Sequence, residues 1–389
     1  MQPRRWVAPM RGRGSEEGHR AATPLELFFD LVIVVAVAAA ASELHHEVAE
    51  GHALESLIPY ALTFFAIWWA WMSFSWFATA YDTDDVPYRV AVFVQMAGAI
   101  IIAAGVSRAF GGDWSVMVAG YVVMRLAAVA NWIRAARGDA SHRANSIRWA
   151  IGIPIVQAGW IVLLFVPDAI QLPMFIVLAI LELAIPIWAA RASRLRWHSD
   201  HIAERYGLFT IIVLGESVLA GTVAIATAAE AGGGIVADPM LLGAAVGALL
   251  IVFSMWWLYF ERGTADLLTS IGRSFEWGYG HYFIWGAAAA VGAGIAVAVD
   301  VTIDHAEVGM SVAGAAVAVP VAIYLAGVWA LHEVPRPMPT WRMAFSPVAI
   351  VLVLLTPLTP APVLLTGLVV AGLLAAKIAT TPQQAGEDA

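Results

Sequence analysis

Long apolar runs, separated by short polar segments, fill most of this chain. A membrane-spanning helix needs roughly 20 mainly apolar residues. The pattern predicts twelve such helices, at 24–43, 56–80, 88–108, 114–136, 146–166, 168–190, 202–228, 239–261, 277–299, 307–331, 342–358 and 361–378. The last two are separated only by the short stretch holding Pro357, Pro360 and Pro362. The expected fold class is therefore all-α, a polytopic integral membrane protein. Residues 1–20 and 379–389 are polar and read as tails.

Composition narrows this further. Of 389 residues, 61% are hydrophobic and 13% charged, against about 25% charged in a typical soluble chain. There is no cysteine, which excludes disulfides, thiolate metal sites, covalent haem attachment and a cysteine nucleophile. The net charge of −8 says little, because the signs are sorted by membrane side. With the N-terminus inside, every basic residue except Arg108 and Arg125 falls on an inner segment or inner helix end. This sorting predicts a multi-pass topology with both termini cytoplasmic. The first apolar run opens with Glu26 and Asp30, unlike the clean apolar core of a cleavable leader, so none is expected.

The halves of the chain resemble each other. Phe65-Ala-Ile-Trp68-Trp69 matches Phe253-Ser-Met-Trp256-Trp257, and the same offset lays Gly98 on Gly286. This suggests a six-helix repeat over 21–197 and a second over 198–378, the duplicated build of some transporters. Asp30 and Glu216 would be counterparts, although they fall slightly out of that register. Chance likeness between aromatic-rich spans is the competing explanation.

Several ionisable groups lie within the predicted spans. A charge near the bilayer centre costs about 2.5–3.5 kcal/mol on insertion scales and persists where it meets protein, water or a partner. Glu216 sits well inside the seventh span. Glu26 and Asp30 are four apart on one helix face, a spacing that suits a proton or cation relay, or else an interface residue and a structural pair. Arg125 is the one basic residue deep in a span, at a depth comparable with Glu182, Asp30 and Glu216, any of which would serve as its partner. Four charged groups at similar depth exceed what a single structural pair requires. Trp68, Trp69, Trp256 and Trp257 fall mid-span and are candidates to line a cavity, though packing is the commoner use. His198, His201 and Glu204 precede the seventh span, and Glu43, His45, His46, Glu47 and His52 follow the first. Either group could ligate a divalent metal, but neither spacing fits a defined zinc motif, so solvated loop residues are the simpler account. Asp82, Asp84 and Asp85 read as caps and partners for inner arginines. The segments around Gly243 and Gly247, and around Gly286, Gly292 and Gly294, read as close helix contacts.

Three stretches carry a family resemblance: TPLELFFDLV (23–32), YDTDDVPYR (81–89) and HIAERYGLFTIIVLGES (201–217). With WWLYF (256–260) and WGYGHY (277–282), they resemble the bacterial low-temperature-requirement A (LtrA) family over roughly residues 20–375. The pattern positions are Glu26, Phe28, Asp30, Asp82, Asp84, Asp85, Glu204, Phe209, Gly215 and Glu216. The family usually continues WWLYF with a single acid; here Glu261-Arg262 follows. The resemblance implies a multi-spanning cell-membrane protein linked by name to growth in the cold, and no settled activity.

There is no GxxxxGK[ST] motif, GESVL is not GxSxG, no lysine lies mid-span, and no basic aromatic face suggests nucleic acid. The favoured reading is a secondary transporter or ion- or proton-conducting protein, whose partners are the lipid bilayer and a small-molecule or ion substrate. A membrane-embedded enzyme acting on a lipid or prenyl substrate, and a non-catalytic sensor or assembly protein, are the alternatives. Neither a cofactor nor an oligomeric state follows from the sequence.

Overall fold

The structure is a computed structural model that describes residues 6–12, 21–81, 83–193, 195, 199–232 and 238–380. Among them every regular element is helical, and twelve helices are long and apolar enough to cross a membrane. We label these α1 (Pro24–Ala49), α2 (Leu57–Ala80), α3 (Val86–Ala104), α4 (Ser115–Gly138), α5 (Arg143–Leu163), α6 (Asp168–Ala190), α7 (Ser199–Gly232), α8 (Pro239–Phe260), α9 (Ile271–Thr302), α10 (Met310–Val328), α11 (Thr340–Leu358) and α12 (Pro362–Thr380). The twelve expected spans correspond one to one with these helices.

Helix ends follow local chemistry. Thr23-Pro24-Leu25-Glu26 closes a capping box: Thr23 N donates to Glu26 Oε2 at 2.7 Å, and Glu26 N donates to Thr23 Oγ1 at 3.2 Å. Asp85 caps α3 by accepting from Tyr88 N at 2.9 Å, with a proline in the first turn. Asp238 caps α8 by accepting from Met240 N at 2.8 Å and Leu241 N at 3.3 Å. The π-turn Trp329–Glu333 ends α10, a wide turn often found at functional positions.

The chain divides into two compact units. One comprises the described residues up to Ala40 together with Pro59–Phe209; the other comprises Ala41–Ile58 and the described residues from Thr210 onward. The division falls within α1 and within α7. In the first unit α3 and α4 cross at glycines: a Cβ on Gly98 would lie 2.7 Å from Gly120 O, and one on Gly120 2.6 Å from Gly98 O. In the second, Gly247 of α8 and Gly367 of α12 make the same kind of crossing, with a Cβ on Gly367 only 2.6 Å from Gly247 O. The expected contact at Gly247 is thus present, while Gly243 only approaches Leu364 at an ordinary 3.9 Å.

The tryptophan pairs that suggested a repeat occupy different environments. Trp68 and Trp69 are buried at 2% and 1% exposure, whereas Trp256 and Trp257 are 46% and 49% exposed. Trp69 lines a cavity in the first unit. Trp256 and Trp257 are half exposed and line neither of the two pockets described below. Both pairs lie in equally apolar runs, and hydropathy does not tell which side of a helix is covered. The six-plus-six repeat gains no support from this match.

Candidate functional site

In the first unit, the start of α1, the second half of α2 and the start of α7 build one buried polar cluster. Asp30 lies one turn beyond Glu26, about 9 Å from the start of α1 at 1.5 Å per residue. Asp30, Glu26, His201 and Arg205 are exposed by 0%, 3%, 1% and 1%. Arg205 Nη2 donates to Asp30 Oδ1 at 2.7 Å and to Ser75 Oγ at 3.0 Å. Trp71 Nε1 donates to the same Asp30 oxygen at 2.7 Å. The guanidinium also lies 5.7 Å from the Trp71 ring centroid and 5.9 Å from that of Phe74. Trp71, Ser75 and Thr79 repeat every four residues, so they form one stripe along α2.

The neighbouring pair has a proton requirement. Thr79 Oγ1 donates its single hydrogen to Ser75 O at 2.8 Å, bonding back along its own helix. It therefore accepts from His201 Nδ1, 3.1 Å away. A neutral imidazole with hydrogen on Nδ1 presents a bare lone pair at Nε2. That Nε2 faces Glu26 Oε1 at 3.5 Å. Two acceptors would repel in a dry site, so one proton belongs between Glu26 and His201. Glu26 Oε2 is held by Thr23 N and by Thr23 Oγ1 at 2.9 Å, which aims Oε1 at the histidine. With Asp30 and Arg205 cancelling, the whole cluster is neutral when that proton is present and carries one negative charge when it leaves. Asp30 Oδ2, Arg205 Nε and Arg205 Nη1 are buried with no hydrogen bond from the described residues, leaving capacity that an ion, water or solute can use.

A second buried charge pair occupies the same unit. Arg125 Nη2 lies 3.2 Å from Glu182 Oε2. Glu182 also accepts from Trp69 Nε1 at 2.8 Å and from Trp160 Nε1 at 3.2 Å. Arg125 stands 5.2 Å from the Tyr121 ring centroid, and Tyr121 in turn donates to Ala66 O. Of the three acids considered for Arg125, the partner is Glu182. Phe65, Trp69, Trp114, Tyr121, Trp160 and Phe175 wall an aromatic pocket beside Glu182.

The remaining candidates are placed as follows. Glu216 lies in the second-unit part of α7, half-buried, with no hydrogen bond or ion pair among the described residues. Its neighbour Ser217 donates to Ala288 O at 2.8 Å. Glu204 accepts from Ala22 N at 3.3 Å instead of joining His201. His198 and Asp82 lie outside the described residues. Among the described residues no group of three His, Cys, Asp or Glu side chains is placed to hold a metal ion. His45 pairs with Asp300 at 2.6 Å and His52 with Glu47 at 3.4 Å. Asp84 and Asp85 pair with Arg89 and Arg134 at 2.7 and 2.6 Å, as caps and partners should.

Sequence reasoning counted Arg205 only as an inner-face charge and missed Trp71, Ser75 and Thr79. A signal was available. Arg205 follows His201 by four residues, within the stretch carrying the family resemblance, just as Asp30 follows Glu26 by four in the other. Two i, i+4 pairs of complementary chemistry at the ends of two spans can face each other.

Helices of this length and composition, closing over charge that must be held inside the bilayer, define a polytopic α-helical membrane protein. Within that class the chain belongs to the LtrA family: the family model described as "Bacterial low temperature requirement A protein (LtrA)" matches residues 21–378. It is 29% identical over 247 residues to the uncharacterized protein RA0937 of Rhizobium meliloti (strain 1021). That match covers 61% of this chain and 58% of the relative, less than two thirds of the relative's length. No solved structure matches the chain significantly.

Proposed function

We propose that this LtrA family protein is a secondary transporter or ion-conducting protein that binds and releases a proton at Glu26–His201. The observation that carries the reading is the charge balance of the buried cluster: two carboxylates and one arginine, with a histidine whose Nε2 faces a carboxylate oxygen at 3.5 Å. A purely structural cluster needs one compensated pair. Here Asp30–Arg205 is compensated and Glu26–His201 changes the local charge by one unit on protonation. Burial makes that unit expensive in the deprotonated state, so proton loss favours any rearrangement that admits water or a cation. Glu216 is a second relay candidate on separate grounds, being a half-buried acid in a membrane helix with no partner among the described residues.

The localisation belongs to the same proposal: a bacterial cell membrane, with both termini on the cytoplasmic side. Reporter fusions near residues 47 and 303 should read outside, and fusions near 140 and 267 inside. The activity is tested in liposomes holding the purified protein and a trapped pH-sensitive dye. Under an imposed pH gradient and potential, wild-type vesicles should equilibrate faster than protein-free ones. Glu26→Gln and His201→Gln should fall back to the protein-free rate. Equal rates in wild type and both variants would reject the proton site.

A further inference from the structure

In the second unit, the end of α8, the π-turn after α10, the start of α11 and the end of α12 enclose a pocket that no part of the proposed proton site uses. Its polar wall holds Arg262, Arg336, Arg342 and Lys377 against Glu261 and Glu333. Its apolar wall includes Leu258, Met338 and Phe345. His332 also lines it.

The fixed charges fall into two groups. Lys377 donates to Glu333, and Ser346 Oγ donates to the same carboxylate at 3.1 and 3.2 Å. This closes the pair and leaves little attraction from it. Arg336 is anchored by the carbonyls of His332 and Gly263 and by Asp266 Oδ1 at 2.8 Å. Arg262 and Arg342 complete the rim, with Arg262 exposed. The lining thus carries four permanent cations and two carboxylates; Glu333 neutralises Lys377, and Asp266 beside the pocket neutralises Arg336.

His332 supplies the second, independent observation. It is 5% exposed, its ring lies 4.9 Å from that of Tyr259 between centroids, and among the described residues no hydrogen bond of ordinary geometry reaches Nδ1 or Nε2. A buried imidazole with two idle nitrogens is costly unless something else meets it. The π-turn explains the placement: Val334 N bonds back to Trp329 O at 2.9 Å, five residues away, and the widened turn carries His332. Nearby His281 is fully committed, its Nδ1 donating to Trp277 O at 2.7 Å and its Nε2 accepting from Tyr259 Oη at 2.9 Å. His332 is not committed in this way and borders the pocket.

We infer that this pocket binds a phosphate group that carries net negative charge, with no cation attached to balance it, on an amphiphile or free in solution, with Arg262 and Arg342 at the rim and His332 below as hydrogen-bonding partners. Arginine forks match phosphate oxygens. A pocket at helix ends lies at headgroup depth, where cationic recesses between helices take anionic headgroups. The apolar wall of Leu258, Met338 and Phe345 favours a ligand with an acyl portion, but phosphate is the chemistry shared by a lipid headgroup and a soluble phosphorylated compound. This inference does not rest on the proton site.

The test uses the full-length protein in neutral detergent. Dioctanoyl phosphatidylglycerol, dioctanoyl phosphatidylcholine and inorganic phosphate are titrated separately, with bound adducts counted by native mass spectrometry. The glycerol lipid should bind at least tenfold tighter than the choline lipid. The double variant Arg262→Gln/Arg342→Gln and the single variant His332→Asn should each remove most of that preference. Competition by millimolar inorganic phosphate marks a site for the free anion as well; absence of competition marks a headgroup site. The rim double variant leaves the buried core intact, so it reports binding even if His332→Asn does not fold. Equal binding of the two lipids together with no phosphate adduct, or a preference unchanged in the rim variant, would overturn the inference.

Discussion

α2 presents Trp69 to one buried ion cluster and Trp71 to another. Two residues along a helix turn a side chain by about 200°, so adjacent indoles serve opposite faces. On one face Glu182 accepts from Trp69 and Trp160 and pairs with Arg125. On the other Asp30 accepts from Trp71 and Arg205. Both are acid–arginine pairs braced by indole N–H groups. The difference is the extra acid and base of the second cluster, Glu26 and His201, which face each other at 3.5 Å. The comparison teaches that buried charge in this chain has two uses. A compensated pair with indole donors fixes helix registry. Under the proposed function, an added acid–histidine pair makes the local charge depend on a proton.

The largest expected effects come from breaking the compensated pairs. Removing one partner of a buried ion pair costs about 3–5 kcal/mol, while replacing both together is far milder. Arg125→Met and Glu182→Gln should each lower the unfolding temperature in detergent sharply, followed by tryptophan fluorescence. The double variant should be more stable than either single one. Asp30→Asn should behave like these singles, because it strands Arg205 at 1% exposure. Additive losses in the Arg125/Glu182 double variant would break the registry reading.

The next effect is smaller in stability and larger in behaviour. Glu26→Gln keeps the capping box, since Gln serves at that position as Glu does, so the stability loss should stay near 1 kcal/mol, the usual scale of a cap. It should nevertheless abolish the proton-linked flux described above. A loss of 3–5 kcal/mol in this variant would place Glu26 with the compensated pairs and dissolve the contrast between the two halves of the cluster.

The twelve spans were legible because hydrocarbon thickness sets a run length that composition alone reveals. Glu26, Asp30, Arg125 and Glu182 stood out because ionisable groups are costly in a bilayer. The pairings were not legible. Depth along a helix follows from counting, but which face meets which neighbour depends on how helices rotate about their axes, and no apolar stripe marks that rotation in a chain apolar on every side. Arg205 lay near a helix end, where arginines are ordinary, so its inward turn onto Asp30 left no compositional trace. Trp68-Trp69 and Trp256-Trp257 show the same limit: one motif, with one copy buried and the other half exposed. His332 was invisible because a π-turn has no sequence signature.

The smallest effect concerns another acid–histidine pair, Asp139–His142, which serves as a control for Glu26–His201. Asp139 follows α4, outside the membrane-length helices, and its Oδ2 lies 2.7 Å from His142 Nδ1. Ser141 N and His142 N donate to Asp139 Oδ1 at 3.0 and 3.3 Å, and Tyr81 Oη donates to Oδ2 at 3.3 Å. Burial pushes the Asp139 carboxyl up, but the hydrogen bond and charge of His142, with the two backbone donors, outweigh it and hold the carboxyl below its ordinary value. The sign follows from linkage. A carboxyl that is more acidic when folded stabilises the fold above the ordinary aspartate range, and that contribution is lost as pH falls through the lowered folded value. Asp139→Asn should therefore cost about 1 kcal/mol at neutral pH, the upper end for a partly exposed pair. It should also flatten the fall in stability on the acid side, measured by thermal unfolding across a pH series. Proton flux should be unchanged, because this pair sits at a helix end with backbone donors to spare. If Asp139→Asn lowered flux as strongly as Glu26→Gln, an acid beside a histidine would suffice for the effect, and burial between α1, α2 and α7 would lose its place in the mechanism.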